Sequence, residues 1–251
     1  MNQQFLTELK AVTAENRIFT DEPMKKHTTF RVGGPADILV QPKGTELAAV
    51  IRLCRKYDVP YQVIGNGSNL LVGDRGIRGL VIEMLSKEDE ICVEDDCITV
   101  GAGMLLSKTA NRAAEHGLTG MEFAAGIPGS IGGAVVMNAG AYGGEMKDIL
   151  TAVTVLDQEG NEKILSAEEL ELGYRTSCIL KKGYIVTGAK IKLKHGEETA
   201  IRARMEELKK QRVEKQPLEY PSAGSTFKRP EGYFAGKLHV CGLSCIIVAG
   251  K

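Results

Sequence analysis

Residues 126–144 read GIPGSIGGAVVMNAGAYGG, seven glycines in nineteen residues around a short apolar run. Glycine at this density serves one of two ends. It lets the backbone take positive φ, or it lets a bulky ligand lie directly against the main chain where side chains would stand in the way. The second is expected as the main reason, and a glycine-rich turn region serving packing alone is the alternative. A second glycine-rich turn at residues 65–73, GNGSNLLVG, favours the ligand.

The rest of the chain sets the frame for that segment. Its 251 residues leave room for about two domains with sizeable cores, and a 43% hydrophobic, 25% charged composition is that of an ordinary soluble protein. Lys plus Arg equals Asp plus Glu at 32 each, so the overall charge favours neither nucleic acid nor an anionic membrane surface. The N-terminus MNQQFLTELKAVTAEN is polar and helix-like, and no apolar run reaches the length of a membrane span. A cytoplasmic protein is expected. The six cysteines, at 54, 92, 97, 178, 241 and 245, form neither a CxxC pair nor a disulfide-type framework and read as reduced structural thiols. His239, Cys241 and Cys245 match no standard zinc spacing, so no metal is expected.

Along the chain, Phe5, Leu6, Leu9 and Val12 share one face of an expected helix over 2–16. HTTFRVGGPADILVQP alternates on both sides of Gly33, Gly34 and Pro35 and predicts two strands joined by a tight turn. Thr45 is the expected cap of a helix presenting Leu47, Val50, Ile51 and Cys54, followed by a strand over 61–64. Strand, helix, strand starts an α/β or α+β domain. The turn 65–73 begins like a dinucleotide fingerprint but lacks its third glycine, and Leu70, Leu71 and Val72 are expected to continue as a strand, so it is not a Rossmann turn. Gly65, Gly67, Ser68 and Asn69 still cluster donors suited to a pyrophosphate. No GxxxxGK[ST] occurs. Residues 79–84 read as a strand and 88–96 as an acidic connection between domains. A small-residue turn at 100–103 precedes a helix ended by Gly117, residues 152–165 form a hairpin around 157–161, and a long strand starts at Tyr184. The last expected helix, 197–215, turns Ile201, Met205 and Leu208 inward and mixed charges outward, a solvated face and not a nucleic-acid contact.

TTFRVGGPA, GNGSNLLV, VGAG, GIPGSIGGAVVMNAGAYG, GYRTS and PSAGSTFKRP, in this order and spacing, closely resemble the UDP-N-acetylenolpyruvoylglucosamine reductase (MurB) family, from about Phe30 to Leu238. The short link 229–236 and the absence of a tyrosine-bearing insertion between Tyr174 and Tyr184 resemble its shorter, type II branch. The resemblance implies an α+β flavoprotein of the vanillyl-alcohol-oxidase (PCMH) type. It would have FAD-binding subdomains at 1–88 and 89–195 and an incomplete substrate-binding subdomain at 196–251. It further implies non-covalent FAD, NADPH as hydride donor and a UDP-sugar substrate. Gly65, Asn66, Gly67, Ser68 and Asn69 would hold the pyrophosphate. Ala102, Gly103, Gly126, Ile127, Pro128, Gly129, Ser130, Gly133 and Asn138 lie in the motifs that line the flavin.

Arg175 of GYRTS matches the family's arginine that stabilises charge at the enolpyruvyl C2 after hydride reaches C3, and Ser225 of AGSTF matches its serine proton donor. The alternatives are a buried structural arginine paired with a carboxylate, and a turn or capping serine. Lys228 and Arg229 are candidates for the substrate diphosphate. After Leu238 the chain reads HVCGLSCIIVAGK, without the helix, strands and glutamate that the family pattern leads one to expect. FAD binding is expected to persist, since its turns precede that point. Closure over substrate and proton delivery are expected to be impaired and solubility reduced, with a flavin-binding module lacking turnover as the alternative function.

Overall fold

The computed structural model describes residues 3–85, 91–216 and 219–224. Its first half is a four-stranded sheet made of β1 (Ile18–Pro23), β2 (Pro35–Val40), β3 (Tyr61–Ile64) and β4 (Ile77–Glu83), in the order β1-β2-β4-β3. β1 and β2 are antiparallel, while β4 lies parallel between β2 and β3. That central place explains why Leu80, Val81 and Ile82 of β4 run consecutively apolar and buried: both its faces are covered. Leu80 and Ile82 pack with α1 (Gln3–Val12) and α2 (Gly44–Lys56) through Phe5, Leu9, Leu47 and Ile51. Val81, on the opposite face, meets Met24, Leu39, Ile64 and Val72. Phe5 is fully buried and meets Tyr57 edge-on at 5.9 Å.

The second half is an antiparallel five-stranded sheet. Its strands are β5 (Ile91–Glu94), β6 (Cys97–Gly101), β7 (Leu150–Leu156), β8 (Glu162–Ser166) and β9 (Ile185–Lys192), in the order β8-β7-β9-β6-β5. Ile98, Val100, Val153, Val155 and Ile191 form its core with α3 (Leu106–Glu115), the short α4 (Ile131–Val136) and α5 (Cys178–Lys182). Leu156 and Ile185 belong to the first core, so the two sheets share a seam. The β7–β8 turn reinforces it, because Arg52 of α2 donates to Gly160 O at 2.9 Å. α6 (Glu198–Lys215) buries Ile201 and Leu208 and packs Met205 against the second core. No helix among the described residues is long and apolar enough to cross a membrane, and none of their His, Cys, Asp and Glu side chains cluster as a metal site.

Several sequence expectations change. The hairpin around Gly33 and Gly34 is not there: residues 27–34 form no strand, and β2 pairs with the upstream segment Ile18–Pro23. Gly34 is packed so closely that a Cβ on it would lie 1.9 Å from Asp74 O, and only glycine lets the 70–76 loop cross there. Leu70, Leu71 and Val72 form that loop, not a strand; Val72 anchors it in the core while Leu71 stays 68% exposed. α2 starts before Thr45, since the Glu46 carboxylate accepts the Lys43 N–H at 2.9 Å and so satisfies the helix start. Residues 91–94 of the expected acidic connection are strand β5. Helices α1, α3 and α6, strand β3, the 157–161 hairpin and strand β9 fall within a few residues of their expected places.

Candidate active site

Two glycine segments far apart in sequence form one surface. The turn after β3 carries Gly65, Asn66, Gly67, Ser68 and Asn69. Asn66 donates from Nδ2 to Pro128 O at 2.7 Å. Gly65 meets Ser130 so closely that a Cβ on it would stand 2.0 Å from the Ser130 Oγ. From beneath, Gly67 rests on the TTFRVGGPA segment: it sits at φ +58, its missing Cβ would fall 2.0 Å from His27 O, and its carbonyl accepts the Thr29 N–H at 3.3 Å. The 102–106 turn braces the other segment. Gly132 N–H donates to Ala102 O at 2.7 Å, Ile131 N–H to Met104 O at 2.8 Å and Leu106 N–H to Gly129 O at 2.9 Å, with Gly103 half-buried between them. Ser130 caps α4 by accepting the Gly133 N–H.

The seven glycines divide by what surrounds them. A Cβ would fall 3.0 Å from Ala102 at Gly132, 2.7 Å from Glu145 at Gly140 and 2.6 Å from Phe123 at Gly144, so these three serve packing. Gly143 follows Tyr142 in a two-residue turn with positive φ at both, closing the short ladder of Gly140–Ala141 with Gly144–Glu145. At Gly129 and Gly133 nothing lies closer than 3.5 Å, a Cβ on Gly126 would stand 3.3 Å from the Arg212 side chain of α6, and Gly126 and Gly133 are exposed. Ile127 is half-buried against the core, Pro128 is exposed and Ser130, Ile131 and Gly132 are buried, so bare backbone faces outward at 126–129 and again at Gly133.

Arg175 stands at the far end of this surface. The 173–176 turn is closed by reciprocal bonds between Gly173 and Thr176, with Arg175 at φ +55 on its tip and stacked 5.4 Å from the Tyr174 ring. The guanidinium is exposed and donates to Asn138 O at 3.3 Å and Gly140 O at 3.0 Å. Among the described residues no carboxylate pairs with it. Asn138 is fully buried and linked to Glu145, which pairs with Lys147 and raises the lysine pKa above its ordinary value.

Ser225, Lys228, Arg229 and the 239–251 tail with its cysteines lie outside the described residues. The segment leading to Ser225 is tied down nonetheless: Thr29 Oγ1 donates to Ser222 O at 2.5 Å, and the Cβ position of Gly224 is 3.9 Å from Ser68 O. Thr29 and Glu145 are the residues that the sequence reading passed over. Thr29 stands inside a singled-out motif and Glu145 directly follows the glycine segment, but neither residue type signals its partner.

Residues 36–166 match a family model described as an FAD binding domain. The chain is 54% identical over 250 residues to the UDP-N-acetylenolpyruvoylglucosamine reductase of Agathobacter rectalis, covering 95% of this chain and 80% of that one. The corresponding protein of Clostridium perfringens strain SM101 is 54% identical over 241 residues, covering 95% and 79%. The chain belongs to the UDP-N-acetylenolpyruvoylglucosamine reductase (MurB) family. The crystal structure of MurB from Thermus caldophilus superposes with a TM-score of 0.75 at 42% identity, over 88% of this chain and 79% of that one. p-Cresol methylhydroxylase aligns at a TM-score of 0.56 and 15% identity over 78% of this chain and 44% of its own, which shows the fold alone. The MurB fold here is thus the α+β, vanillyl-alcohol-oxidase type of FAD-binding architecture.

Proposed function

We propose that this chain is a cytoplasmic reductase that uses NADPH and non-covalently held FAD to convert UDP-N-acetylglucosamine enolpyruvate to UDP-N-acetylmuramate, a step of peptidoglycan precursor synthesis. Residues 1–88 and 89–195 act as the two flavin-binding subdomains, and 196–251 belong to the substrate side. The carrying observation is the joined surface of turn 65–69 and segment 126–133, with open backbone at Gly129 and Gly133. Those glycines fit a broad flat ligand, and the Asn66, Gly67, Ser68 and Asn69 groups fit its diphosphate. Ala102, Met104 and Ser130 hold that surface in place from behind.

FAD held on this surface would supply hydride chemistry, drawn from NADPH, at the enolpyruvyl C3. Negative charge then builds at C2 and in the adjacent carboxylate. Arg175 answers it with a preorganised cation: it is exposed and held by neutral carbonyls, so its charge is available to the substrate. Losing such a donor costs on the order of 10²–10³ in rate. Ser225 delivers the proton to C2, and placement must supply most of its effect because a hydroxyl is a weak acid.

NADPH oxidation with and without the enolpyruvyl substrate tests the reading. Substrate-dependent oxidation yielding UDP-N-acetylmuramate is expected, and oxidation indifferent to the substrate, with no such product, would refute it.

A further inference from the structure

We infer that Asn138 is a positioning residue for Arg175, a buried clamp that fastens the 173–176 turn to the glycine segment, and not a group that meets the cofactor. The inference rests on the role given to Arg175 above. Asn138 ends α4 in a Schellman arrangement, with Ala139 N–H donating to Ala134 O at 2.8 Å and Asn138 N–H to Val135 O at 3.2 Å. Its φ of +40 is a conformation that glycine adopts more readily, so backbone geometry alone does not call for asparagine.

The side chain does call for it. Asn138 is 0% exposed, and both Nδ2 hydrogens are engaged, one by Glu145 Oε2 at 2.8 Å and one by Gly173 O at 3.1 Å. Oδ1 accepts the Lys147 N–H at 2.9 Å. The partners settle the amide orientation, because a carboxylate and a carbonyl can only accept and a backbone N–H can only donate. No side-chain donor remains for a ligand. The same residue's carbonyl receives the Arg175 guanidinium, so Asn138 holds the arginine's turn through Gly173 and its head group through its own backbone. Arg175 itself stands at φ +55, a conformation that persists in a non-glycine residue when its surroundings over-determine it. Asn138, fixed in turn by Glu145, supplies those surroundings together with the Gly140 carbonyl.

Asn138→Gly keeps the left-handed cap and removes the clamp. Asn138→Asp keeps the shape and turns an acceptor toward Glu145 and Gly173. In the FAD-loaded protein both variants are expected to speed amide exchange in 173–177 by about tenfold or more, to leave FAD affinity within about twofold, and to slow reoxidation of the NADPH-reduced flavin by the enolpyruvyl substrate by about tenfold or more. Flavin reduction by NADPH stays within about twofold, and adding Asn138→Gly to Arg175→Ala slows reoxidation no further, as expected for coupled residues. Unchanged exchange in 173–177, or FAD affinity falling as far as the reoxidation rate, would overturn the clamp. If Arg175→Ala leaves reoxidation untouched, the role of Arg175 fails and the inference with it. If Arg175→Ala slows it and Asn138→Gly does not, the clamp alone fails.

Discussion

The Asn66 amide donates to the Pro128 carbonyl at 2.7 Å, joining two glycine segments sixty-two positions apart. This bond sets the spacing between the turn assigned to the diphosphate and the open backbone assigned to the flavin. A neutral hydrogen bond of this kind is worth about 0.5–1.5 kcal/mol. Asn66→Ala should therefore weaken FAD binding by about threefold to tenfold. Flavin fluorescence titration of the flavin-free protein measures it, and unchanged affinity would remove Asn66 from the site.

Gly133 offers a test in which stability and binding move in opposite directions. It lies in α4, is exposed, and a Cβ there would meet only Ser130 Oγ at 3.5 Å, an ordinary contact. Replacing a helical glycine by alanine stabilises by roughly 0.5–1 kcal/mol. Gly133→Ala should raise the Tm of the flavin-free protein by about 1–3 °C and weaken FAD binding, because the methyl group occupies the flavin's approach. A glycine kept for packing would lower Tm instead; thermal melts with and without FAD separate the two.

Asp157 organises the β7–β8 turn that braces the seam between the sheets. The Asn161 N–H holds its carboxyl at about 2, below the ordinary 3.8, with Lys163 and the Glu159 N–H acting in the same direction. A folded-state pKa below the unfolded one adds stability that is fully present above about pH 3.8 and is lost as pH falls through about 2. The Tm advantage of the wild type over Asp157→Asn should therefore hold level from pH 6 to about pH 4 and shrink from there toward pH 2. A difference independent of pH would contradict it.

Burial pushes the Cys54 thiol up to about 12, while Cys92 is exposed on the edge strand β5. A thiol reagent at neutral pH should modify Cys92 in the folded protein and reach Cys54 only after unfolding, since the thiolate is the reactive form. Peptide mass mapping reads both positions. Cys54 labelled as fast as Cys92 under native conditions would show that the first core opens readily.

Much of this was legible in the sequence where period or spacing carried it. Helical spacing exposed α1, α3 and α6, and ordered motifs exposed both glycine segments. β1 escaped because IFTDEP has charged residues at its centre and proline at its end, and it becomes a strand by pairing with β2. β5 escaped because its four residues, ICVE, stand among the acidic runs 88–90 and 94–96 on a sheet edge, so the stretch reads as a linker. Leu70–Val72 misled in the other direction, since an apolar run does not reveal that β4 already fills the neighbouring place in the sheet. The ligand reading of the glycine segment also narrows. Gly132, Gly140 and Gly144 answer to protein neighbours that no sequence pattern discloses, and only Gly129 and Gly133 of the seven have room for a Cβ without a positive φ.

The central claim is that turn 65–69 and segment 126–133 hold FAD jointly. Amide exchange of the flavin-free protein, followed before and after adding saturating FAD, tests it most directly. The account predicts slowed exchange in both segments on FAD binding. FAD binding that leaves either segment's exchange unchanged, or FAD that does not bind at all, would contradict it.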